Sequence, residues 1–308
     1  MAQAYQKYLD PAVLNQVRNL EMKARAMVEG FITGMHKSPY KGFSVEFAEH
    51  REYVQGDDPR FIDWKAFGKS DKYYIKQYEE ETNFRAYIVL DTSESMLYGS
   101  EGHLNKLEYA RYAAASLAYL IQQQSDAAGM ALFDEKLYGF VEASTANNKL
   151  MEMLALMYDH PPRGKTGVGM ILDQLAERIS KRALVIVISD FFDKVGAIRS
   201  GLDHLRHRKH DIILMHVMDK QETDFTFDRL TQFKGLEDYP QLLVDPRALR
   251  KAYLDEVSEF MSDLRAAAFK TRSDYLLMNT STPLQVALQA YLAARSGGRT
   301  GRQSGTRG

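Results

Sequence analysis

Residues 183–188 read Ala-Leu-Val-Ile-Val-Ile, a run that is apolar at every position and β-branched at four of six. A strand with one face in water would alternate, so this one must be covered on both faces, which is the condition of a strand inside a parallel sheet flanked by helices. The segments around it agree. Candidate strands fall at 85–91, 128–133, 136–142, 183–190, 211–218 and 275–279, and helical periodicity fills 104–124, 147–158, 167–180, 196–208 and 247–269 between them. A further helix is expected over 284–294, behind the cap Thr282-Pro283. The alternation predicts a doubly wound, mostly parallel α/β domain over 84–295.

The flanks have a different character. An amphipathic helix is expected from Asp10-Pro11 to Phe31, and short strands from about residue 40 to 83, around the turn Gly56-Asp57-Asp58-Pro59. We read 1–83 as a small helix-plus-strands module in which Trp64, the single tryptophan, is expected as a buried aromatic anchor. Residues 296–308, glycine-rich with Arg299, Arg302 and Arg307, are expected to form a disordered tail.

Composition closes off several kinds of chemistry. With no cysteine, disulfides, thiolate metal sites and cysteine nucleophiles are excluded. Forty basic against forty-one acidic residues leave no electrostatic footprint for nucleic acid as a main partner. The first residues lack a signal-peptide apolar region and no stretch reaches the ~18 apolar residues of a membrane span, so a cytoplasmic protein without membrane insertion is expected.

Open α/β sheets bind ligands beyond the carboxyl ends of their strands, where the strand order reverses. The first core strand ends in Asp91-Thr92-Ser93-Glu94-Ser95, another in Ser189-Asp190, and Thr166 precedes the helix expected from Gly167. Asp91, Ser93, Ser95, Thr166 and Asp190 all offer oxygen. Two carboxylates and three hydroxyls suit a hard cation that keeps some of its water, magnesium first, with manganese or calcium as substitutes. Taken singly, an Asp-x-Ser-x-Ser string also has a plain reading as a loop whose hydroxyls satisfy backbone groups. Placement at the ends of two core strands and a helix start favours the metal.

Competing chemistries find less support. Gly164-Lys165-Thr166 echoes the end of a phosphate-binding loop, but Asp159 stands where the first glycine belongs. A metal-assisted hydrolase would use the same carboxylates but needs a further base; His103 is nearest in sequence, in a polar loop where a solvated or capping role is expected. No Gly-x-Ser-x-Gly elbow surrounds Ser93. His204, His207 and His210 lie among Arg206, Arg208 and Lys209 at a helix end and read as a solvated face.

The Asp91, Ser93, Ser95 string, with Thr166 and Asp190, resembles the metal-ion-dependent adhesion site of von Willebrand factor A domains. The stretch from Glu46 to Lys65, with Tyr78-Glu79-Glu80-Glu81, is similar to the signature preceding that domain in the bacterial family known as domain of unknown function 58. Asp245 to Arg250 and Asn279 to Leu284 resemble that family's later part. The resemblance implies that Ser93, Ser95 and Thr166 touch the cation while Asp91 and Asp190 hold it through water and hydroxyls. It implies an open position for an acidic partner side chain, a non-enzymatic role in protein binding, and a MoxR-type AAA+ ATPase as partner. Members of the family often lack part of this set; here every position has a candidate.

Overall fold

The computed structural model describes residues 45–54, 62, 64, 67–68, 73–80, 85–123, 125–146, 148–159, 161–229, 231–233, 242–284 and 286. The helix expected from Asp10 to Phe31, the turn at Gly56 to Pro59, most of the helix expected over 284–294 and the tail 296–308 lie outside them. The described residues divide between two compact units, the first within Glu29–Asn83 and the second from Phe84 onward.

The first unit contains an antiparallel pair, β1 (Val45–Glu52) and β2 (Tyr74–Glu80), with an irregularity between Phe47 and Glu49. Here one expectation is corrected. Trp64 is 62% exposed rather than buried, and it meets Phe67 edge-on at 6.3 Å. The anchoring contact belongs to Phe67, whose ring stacks on Tyr73 at 4.5 Å. Trp64→Ala should therefore move the denaturation midpoint by the equivalent of about 1 kcal/mol or less, against the ~3–5 kcal/mol of an emptied core site. A larger loss in a urea titration would return the ring to a core role.

The second unit is built on a six-stranded sheet. Its strands are β3 (Arg85–Asp91), β4 (Ala127–Phe133), β5 (Leu137–Ser144), β6 (Leu184–Ser189) and β7 (Asp211–Met218). A short antiparallel pair, β8 (Thr231–Phe233) with β9 (Leu242–Val244), stands apart, and β10 (Asp274–Asn279) returns to the sheet. The order across the sheet is β10-β7-β6-β3-β4-β5, parallel except for β5. The architecture is the doubly wound, mostly parallel α/β class expected from the sequence. The chain runs outward from β3 through β4 to β5, then crosses to β6 on the other side of β3. That reversal opens a crevice at the carboxyl ends of β3 and β6.

Helices cover both faces, as the unbroken apolar strands require. They are α1 (Lys106–Gln123), α2 (Asn148–Asp159), α3 (Val168–Arg178), α4 (Val195–His207), the short α5 (Lys220–Asp224) and α6 (Pro246–Lys270). Tyr87 and Val89 of β3 share a core with Val185 and Val187 of β6, Ile171 and Leu175 of α3, Leu202 of α4 and Leu264 of α6. Ala113, Ala114, Ala115 and Ala118 give α1 a fully buried small-residue surface, which lets it lie close to the sheet. Helices α3 and α4 cross tightly for a similar reason: a Cβ on Gly169 would stand 2.7 Å from the Ala197 carbonyl carbon. The N-terminus of α6 is the one its sequence signals, with Pro246 in the first turn and the Asp245 carboxylate accepting from the Arg247 N–H at 3.0 Å.

Among the described residues no helix is long and apolar enough to cross a membrane. The histidine group disperses. His204 faces Asp173 and Glu177 at 3.1 and 3.0 Å and His207 is exposed. His210 departs from the solvated reading: it is 1% exposed and its Nδ1 accepts the Ala183 N–H at 3.2 Å. It closes the turn between α4 and β7, a task set by the fold rather than by helical spacing.

Candidate metal centre

The loop leaving β3 turns back on its own carboxylate. One oxygen of Asp91, Oδ1, accepts the Ser93 N–H at 2.9 Å, which fixes the loop so that the Ser93 and Ser95 hydroxyls lie 3.0 Å apart. The other oxygen accepts two hydroxyls from distant parts of the chain, Ser189 at 2.5 Å and Thr166 at 2.8 Å. Thr166 is brought in by a loop clamped to the first: the Glu94 N–H donates to the Gly164 carbonyl at 3.0 Å, and the Arg163 N–H to the Thr92 carbonyl at 3.2 Å. Gly164 turns that loop with φ of +71°, in the left-handed region. Asp91, Ser93, Ser95 and Thr166 are thus gathered at the crevice.

Asp190 follows directly at the end of β6. The Ser189 hydroxyl that donates to Asp91 also accepts the Phe191 N–H at 2.8 Å, and Phe191 takes φ of +57°. A bulky side chain in that region is strained, costing on the order of 1–2 kcal/mol. The buried Phe191 ring, edge-on to His216 at 5.6 Å, holds the bend. Beyond it, the Asp193 carboxylate accepts the Gly169 N–H at 3.0 Å, docking this loop on the start of α3.

Sequence reasoning missed the partner of Asp190. Lys106, the first residue of α1, is fully buried, and its ammonium donates to Asp190 Oδ2 at 2.8 Å and to Glu222 Oε1 at 2.7 Å. Glu222 closes the capping box of α5, accepting the Asp219 N–H at 2.8 Å. Asp219 in turn accepts the Ser100 and Thr280 hydroxyls at 3.1 and 2.8 Å, tying the ends of β7 and β10 to the loop after β3. Glu222 also lines an apolar pocket of about 420 Å³ walled by Tyr98, Phe225, Phe227, Leu249 and Tyr253. A lysine opening a helix reads as a solvated surface residue, and only the fold shows that it points inward. Ser189 carried a clearer signal, a hydroxyl at the end of a core strand.

The electrostatics show what the site lacks. Burial first, then the neighbouring Asp190 charge, push the Asp91 carboxyl up to about 7, against the hydrogen bonds from Ser189 and Ser93. Burial would lower the Lys106 ammonium, but the Asp190 and Glu222 charges outweigh it and hold it above its usual value. Glu222 nonetheless stays raised, by burial before all else and with the Asp190 charge adding to it, against the pull of the Lys106 ammonium. Of three buried carboxyl groups, Asp190 and Glu222 share one lysine, and among the described residues no basic side chain pairs with Asp91. A hydroxyl-lined, acid-rich crevice short of positive charge fits a hard divalent cation. No group of three or more His, Asp or Glu arranged as metal ligands occurs among the described residues, so a cation here would depend on the hydroxyls of Ser93, Ser95 and Thr166.

Comparison with known proteins gives a family and distant structural likenesses. The family model described as Protein of unknown function DUF58 matches residues 49–261. Uncharacterized proteins of Mycobacterium bovis and Mycobacterium tuberculosis are 25% identical over 218 residues, 70% of this chain and 68% of theirs. Among solved structures, the conserved hypothetical protein BatB from Bacteroides thetaiotaomicron is similar at a TM-score of 0.46 and 14% identity, covering 70% of this chain and 99% of that one. An aerotolerance-related membrane protein from Bacteroides fragilis, with multiple mutations to serines, is similar at 0.46 and 15%, covering 68% and 99%. The SpRpn10 VWA domain is similar at 0.38 and 13%, covering 70% and 95%.

Proposed function

The chain belongs to the DUF58 family, and from that premise we propose that it is a non-enzymatic protein-interaction module whose crevice holds a divalent cation and, through it, an acidic side chain of a partner. One observation carries the reading: hydroxyls from three separate segments converge around Asp91, a buried carboxylate that burial and Asp190 leave in need of positive charge. Ser93, Ser95 and Thr166 would hold the ion, with Asp91 and Asp190 orienting hydroxyls and water around it. Magnesium is the ion proposed, manganese its close substitute and calcium a poorer one, because calcium favours a larger, more flexible shell. A bound ion would supply directional attraction for a carboxylate. This chain's part is to hold the hydroxyls fixed in advance, through the Asp91 hydrogen bonds.

The partner proposed is the class implied by the sequence resemblance, a MoxR-type AAA+ ATPase, met in the cytoplasm. A pull-down of that ATPase from the native extract tests the proposal. Association should be present with magnesium, lost on chelation, restored by adding magnesium back, and lost in Ser93→Ala. Equal capture in all four conditions would remove the cation bridge. Turnover of a substrate that falls in Asp190→Ala while the complex survives would instead make the protein a metal-dependent hydrolase.

A further inference from the structure

We propose that Lys106 is a built-in competitor of the divalent cation: its ammonium occupies Asp190 from inside the protein and keeps the site's own affinity for the ion low. The inference rests on the metal reading above and adds to it a residue that sets how readily the ion is held.

Position is the first argument. The lysine stands at the first residue of α1, where the helix dipole is positive and a cation is disfavoured, and it is fully buried. Neither helix stability nor solubility accounts for an ammonium there. What does account for it is the pair of carboxylates it contacts, Asp190 at 2.8 Å and Glu222 at 2.7 Å, with the Phe192 ring centred 4.7 Å away on another side.

Connectivity is the second. Asp190 adjoins Ser189, whose hydroxyl donates to Asp91, so the acid that holds the ammonium stands next in the chain to the hydroxyl cluster. One Asp190 oxygen is engaged by Lys106. Among the described residues the other receives only a long contact, the Phe192 N–H at 3.4 Å, and is the one left to serve an ion. Two cations beside one carboxylate repel each other, and burial strengthens that repulsion relative to water. A partner carboxylate would offset it. The ion should then be held weakly by the free protein and more firmly in the complex, so that neither is retained well without the other.

Glu222 provides the control, since it shares the ammonium with Asp190. Without the Glu222 charge, Lys106 leans wholly on Asp190 and the competition sharpens. Without Lys106 the competition ends. The two substitutions should therefore shift ion affinity in opposite directions, which mere structural damage would not do.

The experiment titrates manganese alone, read from the spin-resonance signal of the free ion, into the full-length parent, Lys106→Met, Glu222→Gln and the double variant. A thermal melt of each in chelator confirms folding, and the double variant, which loses an acid together with the ammonium, serves if Lys106→Met does not fold. Affinity should rise about tenfold or more in Lys106→Met, rise less in the double variant and fall in Glu222→Gln. A parent that binds manganese, with folded lysine-free variants that bind no more tightly, overturns this inference and leaves the proposed function standing. Failure of every protein to bind overturns both. Binding by the lysine-free variants alone supports the competition and overturns the proposal that the unmodified site holds an ion without its partner.

Discussion

Asp91→Asn is expected to melt higher than the parent at pH 8 in chelator, although it removes a residue at the centre of the crevice. Burial, then the charge of Asp190, push the Asp91 carboxyl up to about 7 in the folded protein, from an ordinary value of 3.8. A carboxyl raised in this way binds its proton more firmly when folded. Below about pH 4 both states hold the proton and Asp91 costs nothing; as the pH climbs towards 7 only the unfolded state ionises freely, and stability falls. Above pH 7 the full penalty, on the order of 4 kcal/mol, is in place. Asparagine has no charge to bury, and its amide can be satisfied by the Ser189 and Thr166 hydroxyls turned to accept. The difference between variant and parent should vanish near pH 4, grow through pH 5–7 and level off above. Titrations remote from the crevice act on both proteins alike and drop out of the difference, which therefore reports Asp91 together with the Asp190 charge coupled to it. Magnesium should stabilise the parent and leave Asp91→Asn unmoved. A variant that melts lower than the parent at pH 8 in chelator would show that the Asp91 hydrogen bonds outweigh its charge.

The parts legible in the sequence are those whose cause is local. A strand buried on both faces declares itself because every position must be apolar, and so β3 and β6 fall where the pattern places them, within a residue or two. Asp91, Ser93 and Ser95 are readable together because one turn brings them together. Thr166 and Asp190 are readable because strand ends and helix starts converge at the switch point of such a sheet. Long-range packing leaves no comparable trace. Lys106 lies 84 residues from Asp190 and 116 from Glu222, and nothing near it in the chain marks it as buried. Trp64 fails in the opposite sense: tryptophan favours burial on average, but here it is the half-buried Phe67 that stacks on Tyr73 while Trp64 stays exposed. Both errors come from reading a side chain by type where its neighbours across the fold decide.

Lys106→Ala should be as damaging as emptying a core site, lowering stability by about 3–5 kcal/mol in chelator. The substitution strands two carboxylates rather than one, because Asp190 and Glu222 both rely on the same ammonium. It also withdraws a fully buried lysine stem, leaving a void beneath Phe192. The loss should depend on pH with a definite sign. Glu222 is already raised by burial with the lysine present, and without the ammonium it rises further, so the deficit is smallest in mild acid, where Glu222 can be protonated, and grows towards neutrality. Glu222→Gln made in the Lys106→Ala background should recover part of the loss, whereas in the parent it should destabilise. That reversal identifies a shared counter-ion, since substitutions damaging two unrelated sites would add. Equal pH dependence of parent and Lys106→Ala would show that the stranded acids hydrate instead of remaining buried. The α5 capping box would then be the element that opens, because Glu222 closes that box with the carboxylate it turns to Lys106.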